Sequence, residues 1–238
     1  MSESLASLAK MIDHSLLHPT MTDRDLSDGC KLARKYDVAT VCIKPYAVVM
    51  ASELLKDSAV KVCTVVGFPH GNSVINIKLS ETEQALIDGA VEIDMVNNIG
   101  KTLSHDWVYI SEEIKKINDL VVSSGAILKV IFENDYLPGD YEKMKLCEIC
   151  NQHAVAFVKT STGYGFVKQP NGFYSYSGAT DQDLILMRKY CLPTVQVKAA
   201  GGVRSLDDLL RVRALGVTRV GATATGAILN EAKKRDYQ

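Results

Sequence analysis

The sequence predicts an α/β protein, a single closed (β/α)8 TIM barrel covering residues 1–238. Apolar runs of strand length alternate with segments of helical periodicity, eight times and without a break. Helix start and stop signals recur between the runs. Charged side chains stand at the ends of several runs, where a parallel barrel keeps its chemistry.

The runs are Lys10–Asp13, Val38–Ile43, Val60–Val66, Val91–Val96, Ile127–Phe132, Ala154–Val158, Thr194–Val197 and Thr218–Val220. Between them, Trp107, Ile110, Ile114, Ile117 and Val121 are spaced by three or four, which puts one apolar stripe on one helix face. Tyr141–His153 also reads as a helix. Hydroxyl–acid pairs mark helix starts at Thr22 and Asp25, Thr180 and Asp183, and Ser205 and Asp208. In each, the hydroxyl accepts from a free backbone N–H and the acid suits the positive helix end. Gly89, Gly125 and Gly216 stand where helices stop. Neither a linker nor a charge run divides the chain. Eight alternating units favour a closed barrel over an open doubly wound sheet.

The chain is 47% hydrophobic with net charge −1, enough for a large core and no electrostatic footprint for nucleic acid or an anionic membrane surface. No apolar run nears the roughly 20 residues of a membrane span. Met1–Lys10 lacks the basic and apolar blocks of a signal peptide, so the expected compartment is the cytoplasm. Six cysteines fit a reducing environment. Cys30, Cys42, Cys63 and Cys191 are scattered and read as buried thiols. Cys147-x-x-Cys150 with His153 has the spacing of half a metal or redox site, but no second ligand pair exists and no metal is expected.

The stretch Ala154-Val-Ala-Phe-Val-Lys-Thr-Ser-Thr-Gly163 organises the site. A buried strand has no ordinary use for an ammonium group at its end, whereas a desolvated lysine that is neutral attacks carbonyl carbon. Other strand ends carry Asp13-His14-Ser15, Cys42 and Lys44, Gly67-Phe-Pro-His-Gly71, Asp94, Lys129 and Glu133, and Lys198. Residues two apart share a strand face, so Lys129, Ile131 and Glu133 point one way, as do Val155, Phe157 and Lys159, and Thr194, Gln196 and Lys198. An inward set of Asp94, Lys129, Lys159 and Lys198 gathers opposite charges in the barrel. It reads as a paired ionic network or, better, as a reaction site. Spacing alone leaves open which lysine is the nucleophile. Lys159 is preferred because its strand is apolar up to that position. Lys198 would lie on the neighbouring strand, where a second ammonium disfavours protonation of the first. Asp94 would shuttle protons on a carbinolamine or enamine, with Lys129 holding it ionised.

Two glycine loops follow the last two runs, Ala200-Gly-Gly-Val-Arg204 and Gly221-Ala-Thr-Ala-Thr-Gly226. Backbone N–H groups and a helix N-terminus there suit a phosphate.

The motifs Ile12-Asp-His-Ser-Leu-Leu17, Val62-Cys-Thr-Val-Val-Gly-Phe-Pro69, Glu92-Ile-Asp-Met-Val-Asn-Asn-Ile-Gly100, Leu128-Lys-Val-Ile131, Phe157-Val-Lys-Thr-Ser-Thr-Gly163 and Val197-Lys-Ala-Ala-Gly-Gly-Val-Arg204 together resemble the class I deoxyribose-phosphate aldolase family over nearly the whole chain. The resemblance implies Lys159 as Schiff-base lysine, Lys198 as its proton-transfer partner and Asp94 as proton donor and acceptor. It implies reversible cleavage of 2-deoxy-D-ribose 5-phosphate to D-glyceraldehyde 3-phosphate and acetaldehyde, with no cofactor. Asp13, Cys42, Lys129, Thr162, Gly201, Gly202, Gly221 and Thr223 are the expected substrate contacts. The expected partners are small phosphosugars and aldehydes, with no nucleic acid or membrane, and a homo-oligomer is left open. The chain departs from the family in three places. Tyr164–Ser177 is long and holds Phe166, Phe173, Tyr174 and Tyr176, reading as a lid, a subunit contact or a solvent loop packed by its own aromatics. Thr223-Ala224 carries one hydroxyl where the family usually has two, and His18 stands where a lysine is common. The alternatives are therefore the same imine chemistry on an unphosphorylated or longer aldehyde, or a non-catalytic phosphosugar-binding barrel. The basic tail Glu231–Gln238 either reaches toward the phosphate, bringing Tyr237 to the mouth, or frays in solvent.

Overall fold

Parallel strands form from the eight apolar runs and close on one another in a computed structural model that describes residues 4–237. The strands are β1 (Ile12–Leu16), β2 (Thr40–Ile43), β3 (Lys61–Val66), β4 (Glu92–Val96), β5 (Ile127–Ile131), β6 (Phe157–Lys159), β9 (Gln196–Ala200) and β10 (Arg219–Ala222), with β7 (Val167–Lys168) and β8 (Tyr174–Ser175) as a small antiparallel hairpin between β6 and β9. The barrel order is β1-β10-β9-β6-β5-β4-β3-β2. The helices are α1 (Leu5–Ala9), α2 (Asp23–Tyr36), α3 (Val48–Leu55), α4 (Ile75–Ile87), α5 (Ile99–Leu103), α6 (Trp107–Ser123), α7 (Asp140–Gln152), α8 (Asp181–Tyr190), α9 (Leu206–Ala214) and α10 (Thr225–Lys234). Residues 1–3 and Gln238, the extreme ends of the two terminal stretches read above, lie outside the described residues.

The start signals act as expected. Thr22 and Ser205 form reciprocal capping boxes with Asp25 and Asp208, and the Thr180 hydroxyl accepts from the Asp183 N–H. The stripe on α6 is buried at Ile110, Ile114, Ile117 and Val121, each with 0% exposure. These side chains join Ile12, Val41, Ile93, Leu128, Val158, Val197 and Val220 in one continuous apolar layer between barrel and helices.

Several strand limits move. The first strand starts at Ile12 and runs to Leu16, because α1 takes the residues before it. The sixth starts at Phe157, since Ala154 is in a left-handed turn at φ 50° after α7. The seventh runs on through Lys198 to Ala200, past a charge that the interior pairs. As far as Tyr237 the tail packs against the protein and not at the cavity mouth. Arg235 pairs with Asp207 and Glu231, and Tyr237 rests against the main apolar layer. Cys147 and Cys150 are buried free thiols on α7, while His153 turns to the Ser111 hydroxyl at 2.8 Å. Among the described residues no helix is long and apolar enough to cross a membrane.

Candidate active site

The inward strand faces carry charge where a barrel of this size ordinarily packs aliphatic layers. Parallel pairing sets Asp94 opposite Lys129 and Lys159 opposite Lys198. Asp94, with 0% exposure, is the hub. Its Oδ2 accepts from Lys159 Nζ at 2.8 Å and from Lys198 Nζ at 2.7 Å, and its Oδ1 from Lys129 Nζ at 2.8 Å. Burial alone would raise its carboxyl, but the three ammonium groups overcome that and hold it well below the usual carboxylate range. Asp13 is held low in the same way, against its own burial, by Lys198, Lys129 and Arg219.

The three lysines are not equivalent. Lys129 contacts Asp94, Glu92 at 2.6 Å and Asp13 at 3.5 Å. Its burial is outweighed by those carboxylates, which raise it well above the ordinary lysine value. Lys198 contacts Asp13 at 2.5 Å as well as Asp94, and is likewise raised against burial. Lys159 has one carboxylate partner, Asp94. Arg219 closes the network from below, 2.6 Å from Asp13 and 3.0 Å from Glu92, with its guanidinium over the Phe157 ring.

Above this floor lies a cavity of about 560 Å³. Lys159, Lys198, Asp13, Ser15 and Cys42 line its base. Gly201, Gly202, Arg204, Gly221 and Thr223 form one side, and Tyr164, Phe166 and Tyr176 stand among its remaining walls. Helix α10 opens beside Thr223. Its N-cap, Ala224, makes no side-chain capping bond and its first turn holds no acid, so first-turn N–H groups are uncommitted. That is the chemistry of an anion site.

Residues 7–230 match the description "DeoC/LacD family aldolase". The chain belongs to this family of aldolases. A deoxyribose-phosphate aldolase of Rhodopirellula baltica is 49% identical over 96% of this chain and 90% of that protein. One from Caldanaerobacter subterraneus is 45% identical over 98% of this chain and 96% of that protein. The solved structure of a deoxyribose phosphate aldolase from Aeropyrum pernix, described as a unique tetramer, superposes with TM-score 0.85 at 30% identity, covering 97% of this chain and 92% of that one.

In this family member, most of the residues singled out from sequence meet in one place. Lys159, Lys198, Asp13, Cys42, Thr162, Gly201, Gly202, Gly221 and Thr223 all line the cavity. Asp94 and Lys129, each with 0% exposure, are not among the residues lining the cavity; they lie beneath it, bonded to each other at 2.8 Å. His14 faces away, its Nδ1 2.9 Å from the Thr225 hydroxyl. Glu92 and Arg219 escaped the sequence reading, although Glu92 stands two residues before Asp94, a named inward position, and Arg219 two residues before Gly221, an expected substrate contact. The fold also gathers Cys42, Cys63 and Asp94 with donor atoms within 4.8 Å, a possible metal-ligand set that sequence spacing does not reveal. The ammonium groups already on Asp94 oppose a further cation there, and burial raises the Cys63 thiol well above its ordinary value, keeping it protonated toward Asp94 Oδ1 at 3.2 Å.

Proposed function

We propose that this aldolase works through an imine on Lys159 and cleaves 2-deoxy-D-ribose 5-phosphate reversibly to D-glyceraldehyde 3-phosphate and acetaldehyde. The names of the relatives support the substrate. The observation that carries the lysine assignment is the pairing pattern: Lys159 makes an ion pair with Asp94 alone, whereas Lys198 pairs with two carboxylates and Lys129 with three. The network sets four cations, Lys129, Lys159, Lys198 and Arg219, against three carboxylates, Asp13, Glu92 and Asp94.

In the synthetic direction the Lys159 nitrogen adds to the carbonyl carbon of acetaldehyde. The carbinolamine loses water to give the imine, and a proton leaves the methyl carbon to give the enamine. The enamine carbon bonds to the acceptor carbonyl carbon, the acceptor oxygen takes a proton, and water releases the product. Asp94 carries protons in these steps from its place between Lys159 and Lys198. Lys198, raised by Asp13 and Asp94, supplies a fixed positive charge beside the developing oxyanion. Gly201, Gly202, Arg204, Gly221 and Thr223 take the phosphate, with Asp13, Cys42 and Thr162 around the carbon chain. The tetrameric description of the Aeropyrum pernix relative supports self-association of this chain as well.

The test compares retro-aldol turnover of 2-deoxyribose 5-phosphate and plain 2-deoxyribose by the wild type and Lys159→Ala. We expect kcat/KM on the order of 100-fold higher for the phosphate ester, and no turnover in the variant. Equal efficiency would remove the phosphate assignment and favour a plain aldehyde substrate, and an active variant would remove Lys159.

A further inference from the structure

The segment 164–177 belongs to no barrel unit, yet three of its aromatic side chains line the cavity. Phe173 and Tyr174 are exposed at 74% and 63%; Tyr164, Phe166 and Tyr176 border the cavity, Phe166 with 44% of its surface still open to solvent. The segment is fastened at several points, and three fasteners come from one short stretch after β5. Glu133 accepts from the Thr162 N–H at 3.2 Å and from the Thr162 hydroxyl, which itself accepts from the Tyr164 N–H at 2.9 Å. Gly165 lies so close beneath that a Cβ there would stand 2.7 Å from Glu133 Oε1. The Asp135 carboxylate accepts from the Ser177 N–H at 2.5 Å and the Gly178 N–H at 3.0 Å. Tyr136 donates to the Phe166 carbonyl at 3.5 Å.

The returning leg then docks on the first glycine loop. The Ala179 N–H donates to the Gly201 carbonyl at 3.0 Å, and a Cβ on Gly178 would stand 2.7 Å from that oxygen. A Cβ on Gly201 would stand 3.3 Å from the Tyr176 ring. Tyr176 meets Phe166 edge-on at 5.2 Å, and Tyr164 meets Phe68, from the turn after β3, edge-on at 5.6 Å. The rings are therefore a fixed wall with one edge against the anion-binding loop. Burial, with the Tyr176 phenol nearby, raises the Tyr164 phenol, which stays a hydrogen-bond donor at working pH.

We propose that Tyr164, Phe166 and Tyr176 form the acceptor-side subsite, which holds the carbon chain of the acceptor aldehyde between the glycine loop and the aromatic wall and makes the enzyme favour longer-chain acceptors over short ones. This rests on the imine chemistry at Lys159 proposed above. A donor carbon pair bound on Lys159 stays at the floor, so the rest of the chain must leave upward past these rings. Aromatic faces gain most from apolar chain that leaves water on binding.

The first experiment measures aldol addition of acetaldehyde, as donor, to pentanal and to acetaldehyde itself. The ratio of kcat/KM for the longer acceptor over the shorter should fall about tenfold in Tyr176→Ala and in Phe166→Ala, through KM for pentanal. Tyr176→Phe, which keeps the ring, should restore the ratio. An unchanged ratio, or an equal loss with both acceptors, would overturn the proposal. The second experiment needs no chemistry. Calorimetric titration of 2-deoxyribose 5-phosphate into Lys159→Ala and into Lys159→Ala/Tyr176→Ala should give about tenfold weaker binding in the double variant. Equal affinities would overturn the wall. Failure of wild-type protein to trap acetaldehyde as an imine would instead overturn the lysine chemistry and leave the titration as the measure of the wall.

Discussion

Asp94 and its three ammonium partners show how one buried carboxylate organises a charged barrel interior. Removing a partner from such a network is costly in proportion to what it leaves unpaired. Lys129 bridges three carboxylates with 0% exposure, whereas Lys159 bonds one that keeps two other cations. Lys129→Ala should therefore lose about 3–5 kcal/mol in urea unfolding, and Lys159→Ala under about 1 kcal/mol. Equal losses would mean that the two lysines are held alike. Period-two reasoning along the strands sufficed to bring Lys129, Lys159, Lys198 and Asp94 inward. It did not rank the lysines, because the ranking depends on Glu92 and Asp13, which other strands supply. Tyr164, Phe166 and Tyr176 were visible as aromatics, but their direction depends on Glu133, whose left-handed φ of 58° no local pattern announces.

Helix α10 is tied to β1 through His14 and Thr225, and this tie carries a pH dependence. Burial pushes the His14 imidazole down from its ordinary 6.5 to about 4, although a backbone bond near Ala222 opposes it. The unfolded chain thus binds a proton between those pH values that the folded chain refuses. This contribution is fully present above pH 6.5, is lost as pH falls toward 4, and amounts to about 3 kcal/mol. His14→Asn should flatten the slope of unfolding free energy between pH 6.5 and 4 by about one proton. An unaltered slope would contradict neutral burial of His14. Among the elements, those with strong local signals were legible: the α6 stripe, the capping pairs and the glycine stops. The hairpin of β7 and β8 is not legible as strands within the segment 164–177, although Asn171-Gly172 is a turn signal, because its strands are two residues each and too short to show alternation. The packing of the C-terminal stretch is not legible locally, because the anchor of Arg235, Asp207, is 28 residues away in sequence.

At the scale of the whole molecule, the eightfold alternation was enough for the barrel, since parallel strands joined by helices admit few closed arrangements. The site at the strand ends follows from that closure, which brings lysines of β5, β6 and β9 within reach of the Asp94 carboxylate on β4. What closure alone does not dictate is the ring of loops above the site, where chain length is free to vary. We propose that this assembly makes Lys159 the nucleophile toward acetaldehyde. Incubation with acetaldehyde and borohydride, digestion and mass spectrometry test it directly. The expected result is one reduced ethyl adduct, on Lys159. An adduct on Lys198 or Lys129 instead, or none on any lysine, would contradict it.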